Sequence, residues 1–143
     1  HSLKLEHIKI YLHQRQETNL PLNDERAGFN LFCESLFAAS YIKQWRGSHV
    51  WKVGGKVFAI GKWNSPTLSG ITFKVSEKSF EHLRVLDGLR PAPYLASRGL
   101  KWIQVFHEQA LPKETLKTYI RKSHVLALNR LTRREKINLG FLK

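Results

Sequence analysis

The stretch that decides the fold is VWKVGGKVFAIGKW, Val50 to Trp63. Two runs rich in β-branched and aromatic residues, 49–53 and 56–61, are separated by two glycines. Type I′ and II′ turns require positive φ angles, which glycine adopts without steric cost. The spacing therefore predicts a β-hairpin with Gly54 and Gly55 at its turn.

The register of this hairpin predicts which side chains enter the core. A two-residue loop places Val53 opposite Lys56 and Trp51 opposite Phe58. Alternation then puts Trp51, Val53, Phe58 and Ile60 on one face, which we expect to be the core face. The other face is half polar and carries Val50, Lys52, Val57 and Ala59.

The sequence GGK at this turn also invites comparison with a phosphate-binding loop. The P-loop pattern requires glycine at position 50, where Val50 stands, and Ser or Thr at position 57, where Val57 stands. A P-loop also leads from a strand into a helix, whereas this turn joins two strands. We therefore exclude nucleotide binding by this loop.

Before the hairpin, the pattern predicts a helix and a short strand. Asn23 or Asp24 can cap a helix in which apolar residues recur at three- and four-residue spacing as far as about Ala39. Residues 41–45 then read as a short strand.

After the hairpin, a loop at 61–66 precedes a third strand at 70–75, and Ser76 can cap a helix that ends at Gly88. Residues 89–99 are irregular, and residues 101–106 alternate as a strand. Pro112 opens a long last helix whose apolar stripe reaches Leu131. This order of elements predicts an α+β domain with a mostly antiparallel sheet and helices on one face.

The first 22 residues form a separate segment. Leu5, Ile8, Tyr11 and Leu12 give a helical stripe, and the run 19–23 then breaks it. The segment is either an appended arm or a helix that packs on the main body. We therefore divide the chain into an N-terminal helical extension, 1–22, and a domain, 23–143.

Composition narrows the class of protein. The chain has 143 residues, 42% of them hydrophobic, which is typical of one globular domain. No run approaches the roughly 20 apolar residues of a membrane span, and the first residues do not resemble a signal peptide. The single cysteine, Cys33, lies in an apolar stretch and is expected to be a buried thiol. We expect a cytoplasmic protein that does not contact membranes.

Charge is the strongest compositional signal. The 24 Lys and Arg residues outnumber the 11 Asp and Glu residues, and the formal net charge is +13. The ranges 35–76, 88–107 and 115–134 contain basic residues and no acidic residue. A continuous positive face is expected, and its partner would be a polyanion: nucleic acid or an acidic protein.

The sequence contains few of the residue patterns that are typical of catalytic or metal-binding sites. The seven histidines are dispersed and only one cysteine is present, so no metal site and no cofactor is expected. The two aspartates, Asp24 and Asp87, stand at helix ends, where capping explains them. The chain has no G-x-S-x-G elbow. We therefore expect a protein that is not an enzyme.

Four motifs resemble the MmcQ/YjbR-like family. They are WKVGGKVFAI, ITFKVS, LRPAPYLASRGLKW and ALPKETLKTYIRKSH, and they occur in that order over about residues 28–135. The resemblance implies a small domain with the order α-β3-α-β2-α and about five strands, similar to the frataxin (CyaY) and secretion-chaperone folds. It also implies a double-wing DNA-binding module with no established catalytic residues. The segment 1–22 extends beyond the family's core, and Phe37-Ala-Ala-Ser replaces a frequent Leu-Pro-Gly.

The hypothesis that follows is a small, basic, non-enzymatic domain that binds double-stranded DNA. Hairpin wings would supply lysines for phosphate contacts, and planar rings would stack on bases. Trp51 and Trp102 are expected in the core, whereas Trp63 is the better contact candidate. The candidate nucleic-acid-binding residues are Lys52, Lys56, Lys62, Trp63, Lys74, Arg90, Tyr94, Arg98 and Lys101.

Two alternatives remain open. The first is a protein-interaction module that uses the open sheet face and the N-terminal arm. The second is a small-ligand binder in which the 90–98 loop forms an anion pocket. The sequence leaves the oligomeric state undetermined.

Overall fold

The computed structural model describes residues 24–64, 67–95 and 98–143. The predicted extension, 1–22, and its boundary with the domain lie outside the described residues. The described elements follow in chain order: α1 (Asp24–Glu34), β1 (Ala39–Gln44), β2 (Ser48–Val53), β3 (Lys56–Asn64), β4 (Thr67–Lys74), α2 (Glu77–Leu83), β5 (Leu89–Pro91), β6 (Trp102–Val105), α3 (Lys113–Asn129) and α4 (Arg133–Asn138).

The strands form one antiparallel sheet, which confirms the α+β prediction. The sheet has six strands in the order β1-β2-β3-β4-β6-β5. Relative to the five strands read from the sequence pattern, the additional strand is β5, in a stretch predicted to be irregular. Four strands precede α2, whereas the order α-β3-α-β2-α that the resemblance implies has three. The three residues of β5, which end in Pro91, are too few to show an alternation of apolar and polar side chains. They form a strand because they pair with β6, with Leu89 opposite Val105.

Helices α1, α2 and α3 share one hydrophobic core with the sheet. Phe29 and Cys33 from α1, Phe80 from α2 and Ile120 from α3 belong to the same buried cluster as the inward side chains of the strands, such as Phe73. The helices therefore cover one face, as predicted. No helix in 24–64, 67–95 or 98–143 has the length and hydrophobicity needed to span a membrane.

The β2–β3 hairpin has the predicted turn but an unforeseen bulge. Val53 lies opposite Lys56, yet a register shift at Trp51 and Lys52 places Trp51 opposite Ala59 instead of Phe58. The extra residue lets Phe58 and Ala59 both enter the core, each 0% exposed.

The predicted division of the hairpin faces is therefore wrong beyond the bulge. Ile60, expected in the core, is half-buried and pairs with Val50 on the other face of the sheet. Val50, expected on a half-polar face, is itself fully buried.

A serine hydroxyl closes a gap between the two central strands. Pairing of β3 with β4 starts at Ala59 and Phe73. At the next position, the hydroxyl of Ser123 on α3 donates to the Phe58 carbonyl at 2.7 Å and accepts from the Lys74 N–H at 2.9 Å. Ser123 is fully buried, so this contact attaches α3 to both strands and satisfies two backbone groups of the sheet.

The last predicted helix is two helices. Helix α3 ends at Asn129, and α4 begins at Arg133. The hydroxyl of Thr132 accepts from the Glu135 N–H, and the Glu135 carboxylate accepts from the Thr132 N–H at 2.8 Å. This capping box starts a new helix where the apolar periodicity alone suggested continuation.

The tip of the β2–β3 hairpin packs against this second helix. A methyl group added at Gly54 would lie 2.7 Å from a methyl carbon of Leu131 and 3.2 Å from one of Leu139. Gly54 and Gly55 both have positive φ, 55° and 81°. The turn is therefore in contact with the α3–α4 region on the Gly54 side, whereas Gly55 faces open space.

We expect Ser123→Ala to destabilise the fold by about 1–3 kcal/mol, because it leaves the Phe58 carbonyl and the Lys74 N–H buried without a partner. Urea denaturation measures the difference. Ser40→Ala is the matched control, since its exposed hydroxyl makes one long bond, 3.4 Å, and we expect a change within about 0.5 kcal/mol. Equal effects of the two variants would contradict the bridging role.

We expect Gly54→Ala to destabilise the protein more than Gly55→Ala. Both replacements place alanine at positive φ, at a cost of about 1–2 kcal/mol, but only the first drives a methyl into Leu131, which adds about 1–3 kcal/mol. Thermal and urea unfolding of the pair test the packing of the hairpin tip. A loss of stability in Gly55→Ala as large as that in Gly54→Ala would argue against it.

Candidate nucleic-acid interface

One end of the sheet gathers the basic residues. The antiparallel register brings together the end of β2, the start of β3, the end of β4 and the start of β6. The α3–α4 turn lies at the same end, because Leu131 contacts Gly54. We call this surface the basic end and define it by Lys52, Lys56, Lys74, Lys101, Lys122, Arg130, Arg133, Arg134 and Lys136.

Lys74 stands near the centre of the basic end. Its backbone N–H is held by Ser123, and its side chain is half-buried. Burial lowers the pKa of Lys74 below its ordinary value, and the positive charge of Arg130 lowers this pKa further. The cations at the end of α3 and β4 are therefore close enough to repel each other, and a bound anion would relieve that repulsion.

Helix α4 adds three exposed or half-exposed cations: Arg133, Arg134 and Lys136. The carboxylate among them, Glu135, is held in the capping box. Hydrogen bonds from Thr132 lower the pKa of Glu135, and the charge of Lys56 contributes to the same shift. Lys56 on the hairpin and α4 thus form one surface.

The loop between β5 and β6 returns to the basic end. The Ala92 N–H donates to the Trp102 carbonyl at 2.9 Å, and the Val75 N–H donates to the Lys101 carbonyl at 3.0 Å. The Lys101 ammonium lies 4.8 Å from the centre of the Phe80 ring. Tyr94 in this loop has a positive φ and is 87% exposed, so its ring faces solvent.

The structure brings together six of the nine sequence-predicted residues and separates three. Lys52, Lys56, Lys74 and Lys101 lie at the basic end, and Tyr94 and Arg98 lie on the loop that leads to it. Trp102 and Trp51 are buried, as predicted.

The other three predicted residues lie elsewhere. Lys62 pairs with Gly70 toward the opposite end of the sheet. Arg90 donates to Gln104 at 2.7 Å and stacks on Phe106. Trp63 lies on β3, in what was predicted to be a loop, and packs against Phe29 and His49.

Sequence reasoning missed five members of the basic end: Lys122, Arg130, Arg133, Arg134 and Lys136. The acid-free range 115–134 contains the first four, and this signal could have identified them. Arg130, Arg133 and Arg134 also stand near the end of the single last helix that the sequence predicts. Cations there complement the helix dipole, so these arginines have a local explanation that conceals the surface.

A second polar cluster lies between α1 and the sheet. The Trp51 N–H donates to the Asn30 carbonyl oxygen at 2.9 Å, the Asn30 amide faces His49 Nδ1 at 3.3 Å, and Tyr41 lies 2.9 Å from the same nitrogen. Burial lowers the pKa of His49, and the charges of Lys43 and Arg26 act in the same direction. A neutral imidazole whose Nδ1 accepts the shorter bond, from the Tyr41 hydroxyl, fits a network that joins α1 to the sheet.

The described residues form neither a metal site nor a reactive thiol site. Within the ranges that the structure covers, no group of three or more His, Cys, Asp or Glu side chains is arranged to hold a metal ion. Cys33 is buried in the core, and burial raises the pKa of its thiol. A thiol in this setting is a poor nucleophile.

The two edges of the sheet differ. Strand β5 is three residues long and ends in Pro91, which blunts that edge. Strand β1 has six residues and carries Tyr41 and Ile42, 45% and 46% exposed, and the following turn carries Trp45, 55% exposed. Trp45 and Arg46 both have positive φ, an uncommon backbone for bulky side chains.

Comparison with known proteins identifies the family. A search of curated proteins found no match. A crystal structure of the Deinococcus radiodurans protein DR2400, described with a DUF419 domain, is similar in fold, with a TM-score of 0.66 and 24% sequence identity over 78% of this chain and 84% of that chain. The YjbR family model matches residues 34–126, which contain β1 to β6 and most of α3. Since the matched range exceeds half of the sequence, the chain belongs to the YjbR family.

Proposed function

We propose that this protein is a non-enzymatic, cytoplasmic DNA-binding domain whose basic end contacts the phosphates of a duplex. The observation that carries the proposal is the convergence of cations from β2, β3, β4, α3 and α4 at one end of the sheet. Lysines and arginines that served only to solvate the surface would form ion pairs with carboxylates or be spread over the whole molecule. The ion pairs recorded among the described residues, Arg84 with Glu81 and Lys117 with Glu114, involve no member of the basic end.

The geometry favours backbone contacts over base recognition. Phosphate contacts position a protein on DNA without reading sequence. Most cations of the basic end lie on strands, on the β2–β3 hairpin and near helix ends. They do not lie along a long exposed helix, which is the element that most often enters the major groove to read bases. Tyr94, exposed beside these cations, can stack on an unpaired or splayed base.

A DNA titration tests the proposal. If about five phosphates are neutralised, we expect log Kobs to fall with log[salt] with a slope of roughly −4 to −5. Fluorescence anisotropy of a labelled duplex at several KCl concentrations measures this slope. Absence of binding at low salt would refute the proposal.

Two triple variants with the same loss of charge locate the contact. Replacing Lys52, Arg133 and Arg134 by alanine removes cations of the basic end, and we expect the slope to flatten by roughly 2–3. The control replaces Lys43, Arg46 and Lys113, which lie toward the other end of the sheet, and should leave the slope within about 0.5 of the parent value. Equal effects of the two variants would mean that net charge, and no particular surface, governs binding.

The exposed edge strand β1 favours a second candidate, a protein-interaction module. An acidic, extended segment of another protein could add to β1, with Tyr41, Ile42 and Trp45 supplying apolar contacts and Lys43 and Arg46 supplying charge. Ile42→Asp would abolish such binding and leave the duplex titration unchanged. Capture of an acidic protein that survives nuclease treatment but is lost in Ile42→Asp would favour this candidate.

A further inference from the structure

A cleft between α2 and α3 is not explained by duplex binding. It has a volume of about 400 Å³, within the roughly 300–1,000 Å³ range of small-molecule sites. Its lining combines the end of β4, the start of α2 and the outer side of α3. Contacts to the phosphates of a duplex are made on an open protein surface and do not require such a recess.

The chemistry of the cleft is amphipathic. Val75, Tyr119, Val125 and Leu126 give it an apolar wall. Val125 is 47% exposed, which is unusual for a valine on a helix that otherwise buries its apolar stripe. Contact of this wall with an apolar or planar group of a ligand would remove apolar surface from water and would therefore be favourable.

The charged groups at the cleft all have one sign. Lys74, Arg121 and Lys122 line it, and no carboxylate is among the lining residues. The Arg121 guanidinium also lies over the Phe32 ring, 5.3 Å from its centre. Lys122 lies 5.8 Å from the centre of the Tyr119 ring, so charge and aromatic surface are adjacent.

Two hydroxyls complete the lining. Ser76 and Ser79 both face the cleft, and the Ser76 hydroxyl accepts from the Ser79 N–H at 3.2 Å. The Ser76 hydroxyl proton therefore has no part in the helix cap and can be donated. Hydroxyls and ammonium groups together suit a phosphate.

We propose that this cleft binds one nucleotide unit, with the phosphate at Lys74, Lys122 and Ser76 and the base against Tyr119 and Leu126. The unit is either a free mononucleotide or the terminal nucleotide of a single strand, which share this chemistry. The cleft shares Lys74 and Lys122 with the basic end, but its apolar wall does not belong to that surface. The proposal can therefore be tested apart from duplex binding by changing that wall.

Titration calorimetry with AMP, adenosine and inorganic phosphate tests the pairing of charge and apolar wall. We expect AMP to bind at least about tenfold more tightly than either fragment, since each fragment fills one half of the site. Equal affinity for AMP and phosphate would overturn the proposal. A single-stranded oligonucleotide with and without a 5′-phosphate distinguishes the sources, because both forms contact the basic end equally. A gain in affinity from the 5′-phosphate that Leu126→Trp removes indicates a strand end, and equal affinity of the two forms indicates a free nucleotide.

Variants locate the site. Leu126→Trp fills the cleft without changing charge, and we expect it to weaken AMP binding at least about tenfold while the duplex titration is unchanged. Val85→Trp, at a 75% exposed position outside the cleft, is its control. Lys122→Ala should weaken AMP binding about three- to tenfold, and Lys117→Ala, on the same helix and paired with Glu114, should not. Retained AMP affinity in both Leu126→Trp and Lys122→Ala would overturn the assignment.

Discussion

The structure depends on one buried hydroxyl. Ser123 bridges the Phe58 carbonyl and the Lys74 N–H where the two central strands separate, and it thereby fixes the axial position of α3 on the sheet. The preceding residue on that helix, Lys122, is consequently held beside Lys74 at the cleft. A polar contact that satisfies the backbone of the sheet also decides which cations meet, so fold and charge distribution have a common origin here.

The convergence of charge has an energetic consequence for the folded state. Burial and the neighbouring Arg130 both make the protonated form of Lys74 less favourable than in an unfolded chain. Any polyanion that occupies this region offsets part of that cost, because a ligand that binds only the folded form stabilises it. The proposed binding would therefore be coupled to stability at the same residues.

The sequence predicts local features well and tertiary ones poorly. The Gly54-Gly55 turn and the Ser76 cap follow from local chemistry, and both are found. The bulge opposite Trp51 could not be predicted, because it arises from packing Phe58 under α3. The start of α4 could have been predicted: Thr132 to Glu135 has the spacing of a capping box, and apolar periodicity concealed it.

The candidate site shows the same limit. Acid-free ranges predict that a positive face exists, but they do not say which end of the sheet it occupies, since that depends on how antiparallel strands and α3 are aligned. Lys52 and Lys62 look equivalent in the sequence and lie toward opposite ends in the fold. Trp63, expected to be accessible in a loop, became part of a strand because Phe29 and His49 pack around it.

The clamped hairpin also bears on the entropy of recognition. A free wing would sample many orientations and would lose that freedom on meeting a ligand. Because Leu131 and Leu139 pack against the turn at Gly54, we expect the backbone at Lys52 and Lys56 to be fixed by the fold, so that binding would order only their side chains. A partner of the kind proposed would thus meet a preformed surface, and much of the conformational cost of association would already be met during folding.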